Sequence, residues 1–308
     1  MNSIEVNSLT KKFGKFTAVD NISFQIKKGE IFGFLGANGA GKSTTIRMLS
    51  AILEPTSGDA YVGGYSIVKE PDKVKQNIGY MSQRFSLYND LTVEENINFY
   101  GGVYGLMGEE LANRKAWVLK TANLTGREKT LTGDLPGGIK QRLALGTAVI
   151  HRPAIVFLDE PTSGVDPISR RTFWDLIIEL SSEGTTILVT THYLEEAEFC
   201  NDIILINAGK LIAQGNPKQL KTNYIKNEIY EIACNNAVDA MDILLNLNYV
   251  DDVSLFGNNL HIMVNNKFPG KNEAVLSLDE KGIKIKSIDK IVPTLEDVFI
   301  HLLEKDNK

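Results

Sequence analysis

Residues 36 to 43 read GANGAGKS, a match to the pattern G-x-x-x-x-G-K-[ST]. Glycines let a backbone fold around phosphate oxygens, so Gly36, Ala37, Asn38, Gly39, Ala40 and Gly41 form a candidate phosphate cradle, continued by Thr44. Lys42 is placed to reach the β- and γ-phosphates of a nucleotide, and Ser43 offers a hydroxyl to Mg²⁺. An apolar run, Ile31 to Leu35, precedes the loop, and a helical pattern with Ile46 and Leu49 inside follows it. That strand–loop–helix context is what the pattern requires.

Three further groups stand at the ends of apolar runs. AIVFLDE closes on Asp159 and Glu160, and acids at the carboxyl end of a buried strand sit where open α/β sheets bind ligands. Asp159 is suited to assist Mg²⁺, and Glu160 to polarise an attacking water. His192 ends the run LVTTH at the same sheet edge; a lone histidine is more often structural, but this one falls where a γ-phosphate contact is possible. Gln83 follows another short apolar run and, taken alone, is an ordinary loop residue.

A second anion cradle appears at LPGGIKQRLALG, residues 135–146. Leu135 and Pro136 precede the pair Gly137 and Gly138, and Ile139, Leu143 and Ile150 are expected on one helical face. Glycines there expose the N–H groups of a helix N-terminus, which favours an anion.

The elements that must position these groups follow from the pattern. The first 35 residues read as short β-patterned runs; about 92–132 is mostly helical, with breaks at YGGVYGLMG. AIVFLDE and TTILVTTH have the near-continuous apolar character of buried parallel strands, with a crossover helix between them. DIILINAGKLIAQG reads as a hairpin turning at Asn207 to Lys210. An Asn- and Lys-rich stretch, KTNYIKN, reads as a linker, and the chain beyond it follows β-α-β-β-α-β-α. The expected fold class is α/β: a phosphate-loop domain over 1–220, with an antiparallel β subdomain and a helical subdomain about 84–150, then an accessory α+β domain over 221–308.

Composition narrows the function. The chain has 308 residues, enough for one large domain and a smaller one, and its formal charge of −5 gives no basic excess for nucleic acid. Two cysteines, Cys200 and Cys234, lack metal-type spacing, as expected of reduced thiols in a cytoplasmic protein. No apolar stretch of signal-peptide character opens the chain, and none approaches the ~20 residues that span a bilayer.

The order Gly36–Ser43, Gln83, LPGGIKQR, IVFLDEP, SGVD, His192 resembles the nucleotide-binding subunit of ATP-binding-cassette (ABC) transporters over residues 1 to about 220. The resemblance implies ATP and Mg²⁺ as cofactors. It implies that Phe13 stacks on adenine, the alternative being a core residue of the β subdomain. It makes Gln83 a hinge touching Mg²⁺ and linking to a membrane partner, Glu160 the general base and His192 the switch histidine. Ser163 to Asp166 would be the loop crossing between subunits.

The second cradle then caps the ATP of another subunit, so that Pro136, Gly137, Gly138, Gln141 and Asp166 contact it in trans. Pro136 replaces the usual serine of that signature, and Ile139 and Lys140 precede Gln141. The closing VPTLEDVFIHLL, with LDEPTSGVDP, is similar to ATPase subunits of bacterial drug and antibiotic-resistance exporters with a separate permease. The implied partners are a second copy or a homologous ATPase subunit and an integral membrane permease, at the cytoplasmic face of the membrane. A soluble ABC-type ATPase acting on the ribosome or DNA is the alternative. A small GTPase is a third option, but the guanine-reading N-K-x-D motif is absent.

Overall fold

Alternating apolar and polar residues at the start of the chain produce two long strands rather than several short ones. Asn2–Phe13 (β1) and Phe16–Lys27 (β2) pair antiparallel around Gly14, which adopts φ +57°. Ile4, Val6, Leu9, Val19, Ile22, Phe24 and Ile26 are buried along them. Ile31–Leu35 (β3), buried at every position, leads through the phosphate loop into Lys42–Leu49 (α1). Ser57–Val62 (β4) and Tyr65–Ser66 (β5) complete a four-stranded sheet in the order β2-β1-β4-β5. Pro71–Asn77 (α2) then precedes Ile78–Met81 (β6). This computed structural model describes residues 1–83, 87–280 and 282–306, so the first residues of the expected helical stretch, 84–86, lie outside the described residues.

Val93–Val103 (α3) starts at a capping box in which Thr92 and Glu95 satisfy each other's backbone N–H groups. Gly101 and Gly102 do not break α3, contrary to the expectation: a Cβ on Gly101 would meet Leu111 Cδ1 at 2.3 Å, so that glycine serves close helix packing. The break falls at 104–107, before Gly108–Thr121 (α4). Gly137–Ala148 (α5) follows. Ile150 lies beyond its end and is not on the helical face assigned to it, and Ile139 is only half-buried.

Ile155–Asp159 (β7), Pro167–Ser182 (α6) and Thr186–Thr191 (β8) form a strand–helix–strand crossover, both strands buried throughout. Asp202–Asn207 (β9) and Lys210–Gly215 (β10) make the expected hairpin. The sheet order is β10-β9-β3-β8-β7-β6, with all neighbours parallel except the β10 edge. Because β6, β7, β3 and β8 run the same way, the chain segments following them emerge at one edge. Those segments carry Gln83, Glu160, the phosphate loop and His192.

The chain divides into two compact units, Met1–Pro217 and Lys218–Lys308. The stretch read as a linker is partly helical: Pro217–Tyr224 (α7) begins on a proline, whose fixed φ suits a first helical position, and Leu220 and Ile225 are buried. The second unit contains Glu228–Cys234 (β11), Ala237–Leu245 (α8), Val250–Phe256 (β12), Asn259–Val264 (β13), Lys271–Asp279 (α9), Ile285–Ile291 (β14) and Leu295–Asp306 (α10). Its antiparallel sheet, ordered β12-β13-β11-β14, packs a core that includes Ile232, Leu244, Leu260, Ile262 and Leu278. In the closing motif Thr294 caps α10, donating its hydroxyl to Asp297 at 2.7 Å, and Asp297 also pairs with the buried His261 at 2.8 Å.

Candidate phosphate-loop site

Steric crowding accounts for the loop's glycines. A Cβ on Gly36 would come within 2.3 Å of the Ile206 carbonyl oxygen, and one on Gly41 within 2.5 Å of the Ala18 oxygen. Gly41 has φ +108° and Gly39 φ +82°, a region that side chains other than glycine rarely occupy. Ala40 is buried beneath the turn. Lys42, the first residue of α1, bends back to donate to the carbonyls of Gly36 at 2.9 Å and Ala37 at 3.2 Å.

Two neighbouring carboxylates sit at the end of β7 in different roles. Asp159 Oδ1 accepts from Ser43 Oγ at 2.9 Å and from Thr190 Oγ1 at 2.7 Å. Burial holds its carboxyl above the ordinary range, and those two hydrogen bonds pull the other way. Glu160 leaves the strand with φ +46°, strained for a residue with a side chain. Its N–H is held by Thr190 through both the carbonyl, 3.1 Å, and the hydroxyl, 2.9 Å.

Three groups from three other segments converge on the Glu160 carboxylate. Lys42 Nζ lies 3.3 Å from Oε1, Gln83 Nε2 donates to Oε2 at 2.8 Å, and His192 Nδ1 stands 3.3 Å from Oε2. Glu160 is 6% exposed and Lys42 4%. Ser43, Asp159 and Gln83 supply hydroxyl, carboxylate and amide oxygens, the hard donor set that suits Mg²⁺. Among the described residues no group of three or more His, Cys, Asp or Glu side chains is arranged to hold a metal.

An open cleft of about 460 Å³ lies over these residues. Phe13, Asn38, Gly39, Gly41, Lys42, Ser43, Thr44, Gln83 and Glu160 line it. Phe13 is 47% exposed, which excludes the core reading of that residue. Phe16, across the β1–β2 turn, lines the same cleft and is 63% exposed. Sequence reasoning missed Phe16, although the spacing F-G-K-F at the turn signals it. It also missed Thr190, which no local signal marks: β8 ends on two threonines, and only the fold brings Thr190 to Asp159.

The residues expected to act in trans do not line this cleft. Pro136 is the N-cap of α5, not a residue of its first turn, and makes no side-chain cap. Gly137 is exposed with open space around it, whereas a Cβ on Gly138 would meet Ser169 Oγ at 2.4 Å. Gly138 is therefore also needed for packing against α6. Gln141 is buried with its Oε1 unpartnered. Asp166 caps α6, accepting from the N–H groups of Ile168 and Ser169, and these hold its carboxyl below the usual range.

Residues 19–163 match the family described as ABC transporter, and 215–303 match the C-terminal domain of DrrA1-3-like ATP-binding proteins. The linearmycin resistance ATP-binding protein LnrL of Bacillus subtilis (strain 168) is 37% identical over 305 residues, covering 97% of each chain. The probable multidrug ABC transporter ATP-binding protein YbhF of Escherichia coli (strain K12) is 49% identical over 225 residues, which are 73% of this chain but only 39% of that protein's length. A solved dimeric structure of MJ0796, a bacterial ABC transporter cassette, superposes with a TM-score of 0.64 at 29% identity, covering 69% of this chain and 98% of that one. The chain belongs to the ATP-binding proteins of ABC transporters.

Proposed function

We propose that this chain is the ATP-binding and ATP-hydrolysing subunit of an exporter whose permease is a separate membrane protein. The observation that carries the reading is the convergence of Lys42, Gln83 and His192 on Glu160 beside a glycine cradle. Lys42 and the loop N–H groups hold the β- and γ-phosphates, and Phe13 stacks on the adenine, with Phe16 beside it. Ser43, Asp159 and Gln83 would hold Mg²⁺, whose charge would screen that of the phosphates. Glu160 takes a proton from the attacking water, with Gln83 and His192 orienting its carboxylate.

Two copies sandwich two nucleotides in this reading, and the dimeric form of the MJ0796 cassette supports it. Pro136, Gly137, Gly138, Gln141 and Asp166 then face the partner's ATP. Residues 1–217 carry the chemistry, and 218–308 serve as an accessory module. Export is supported by the resistance proteins among the relatives. A partner in a transporter complex is supported by the solved structure of cbiO1 from Clostridium perfringens, 30% identical and described as part of the ABC transporter complex cbiONQ. No helix among the described residues is long and apolar enough to cross a membrane, so attachment to the membrane's cytoplasmic face would be peripheral. The alternative of an ATPase acting on ribosomes or DNA is not favoured: the net charge of −5 gives no basic excess for nucleic acid, and the relatives named above are resistance and multidrug-transporter ATP-binding proteins.

The test combines Mg-ATP turnover of the purified chain with affinity purification from detergent-solubilised cells. The reading expects turnover, abolished in Lys42→Ala, and co-purification of a multi-span membrane protein. Co-purification with ribosomes or DNA and with no membrane protein would overturn the exporter assignment.

A further inference from the structure

Of the buried carboxylates in Met1–Pro217, the catalytic reading leaves Glu196 unused. Glu196, in the short 3₁₀ turn 194–199 after β8, is 2% exposed. Its Oε1 accepts a 2.6 Å hydrogen bond from Thr162 Oγ1, while its buried Oε2 has no hydrogen-bond partner. The cation facing it is Arg170 of α6. Arg170 Nε stands 3.6 Å from Oε1, beyond hydrogen-bond reach, and is itself buried and unpartnered.

The same guanidinium touches two other segments. Its Cζ lies 4.0 Å from the ring centroid of Tyr193, within cation–π range, and Nη2 reaches the Val165 carbonyl at 3.5 Å. The Tyr193 ring in turn lies 4.1 Å from that of His192, whose Nδ1 faces Glu160. A carboxylate this buried strongly disfavours loss of its counter-charge, so Arg170 is anchored in place. A planar guanidinium can face a carboxylate and an aromatic ring together, which an ammonium does less well.

We propose that Arg170 is a positioning residue for the hydrolytic centre. Through Tyr193 it fixes the His192 ring against Glu160. Through Val165, and through Glu196 and Thr162, it ties the segment 162–166 to that same ring. The proposal rests on the ATPase reading above, in which Glu160 is the base and His192 its neighbour at the γ-phosphate.

Steady-state Mg-ATP kinetics on the full chain test it, with Arg170→Ala, Arg170→Lys, Tyr193→Ala, the Arg170→Ala/Tyr193→Ala double variant and Glu160→Gln. Misplacing a catalytic group by about 1 Å lowers rates by up to about a hundredfold. Arg170→Ala is therefore expected to lower kcat about ten- to a hundredfold, with KM for ATP within about twofold of wild type. Arg170→Lys restores charge beside Glu196 but not the plane over Tyr193, and should recover only part of the rate. The double variant should be no slower than the slower single one. A raised KM with unchanged kcat, or losses that multiply in the double variant, would overturn the proposal. If Arg170→Ala does not fold, Arg170→Lys and Tyr193→Ala decide: wild-type kcat in both overturns it, and lowered kcat at constant KM in both supports it. Glu160→Gln separates the two failures. Wild-type turnover in that variant defeats the ATPase reading itself, whereas an inactive Glu160→Gln beside a fully active Arg170→Ala defeats only the arginine's role.

Discussion

Lys42 Nζ lies 3.3 Å from Glu160 Oε1, with both side chains almost entirely removed from water. The pair joins the phosphate loop to the end of β7, so one contact links the groups proposed to bind phosphate and to activate water. Breaking a buried ion pair by removing one partner is strongly destabilising, because the remaining charge is left without a counter-ion. Lys42→Met is therefore expected to lower stability by about 3 kcal/mol, the low end of the usual range, since Gln83 still donates to the carboxylate. Adding Glu160→Gln should restore part of that loss. Urea denaturation of the four proteins checks it, and strictly additive losses would argue against the coupling.

Pro136 gives a second prediction, sharpened by its position as N-cap of α5. Proline there offers no side-chain acceptor, whereas serine is among the preferred caps and adds about 1 kcal/mol to helix stability. The Pro136 carbonyl already accepts from the N–H groups of Ile139 and Lys140, both at 3.0 Å, so the cap's backbone role survives substitution. In the proposed sandwich, a serine hydroxyl also gains a hydrogen bond to the partner's γ-phosphate, about 1.5–3 kcal/mol for a charged acceptor. Pro136→Ser should raise thermal stability and tighten the ATP-bound dimer about tenfold or more. Sedimentation at several concentrations with Mg-ATP measures this, and unchanged dimerisation in both Pro136→Ser and Gly137→Asp would refute the trans assignment.

How much was legible in the sequence depended on whether a group's neighbours are close along the chain. The phosphate loop was readable because its ligands are contiguous and its glycines answer to local backbone crowding. Asp159 and Glu160 were readable because a buried strand must end somewhere, and its end is where a sheet binds ligands. Thr190 and Glu196 were not readable, because each acquires its meaning from a partner more than 30 residues away. The glycine pair at 137–138 illustrates a mixed case: an anion cradle was inferred for both, yet Gly138 also makes room for Ser169, a contact no spacing reveals. The end of the helix Pro217–Tyr224, which falls within the stretch KTNYIKN read as a linker, was obscured by its polar composition.

His151 yields a pH prediction. Its ring stacks on Tyr104, with centroids 3.5 Å apart, and Nε2 lies 3.1 Å from the Ile78 carbonyl. Burial pushes its pKa down to about 4, with the Ile78 hydrogen bond opposing and the Arg114 charge assisting. An unfolded imidazole titrates near 6.5, so between about pH 6.5 and pH 4 the unfolded chain takes up a proton that the folded one excludes. Stability from this site is complete above pH 6.5 and falls as pH drops through that window. For a half-buried ring, solvent screening limits the loss to about 2 kcal/mol. His151→Phe keeps the stack and removes the titration, so the urea midpoint of the wild type minus that of the variant should fall from pH 7 to pH 4.5. A difference independent of pH would contradict the assignment.

Glu160→Gln asks whether Glu160 activates the water that attacks the γ-phosphate. The substitution keeps the side chain's size and its acceptor toward Gln83 but removes the proton acceptor. Mg-ATP turnover and size-exclusion chromatography on the same sample give the two readouts. Retained ATP binding, a fall in turnover of about 10²–10⁴-fold and a dimer that persists with Mg-ATP are expected. Hydrolysis at the wild-type rate by the Glu160→Gln protein would contradict it.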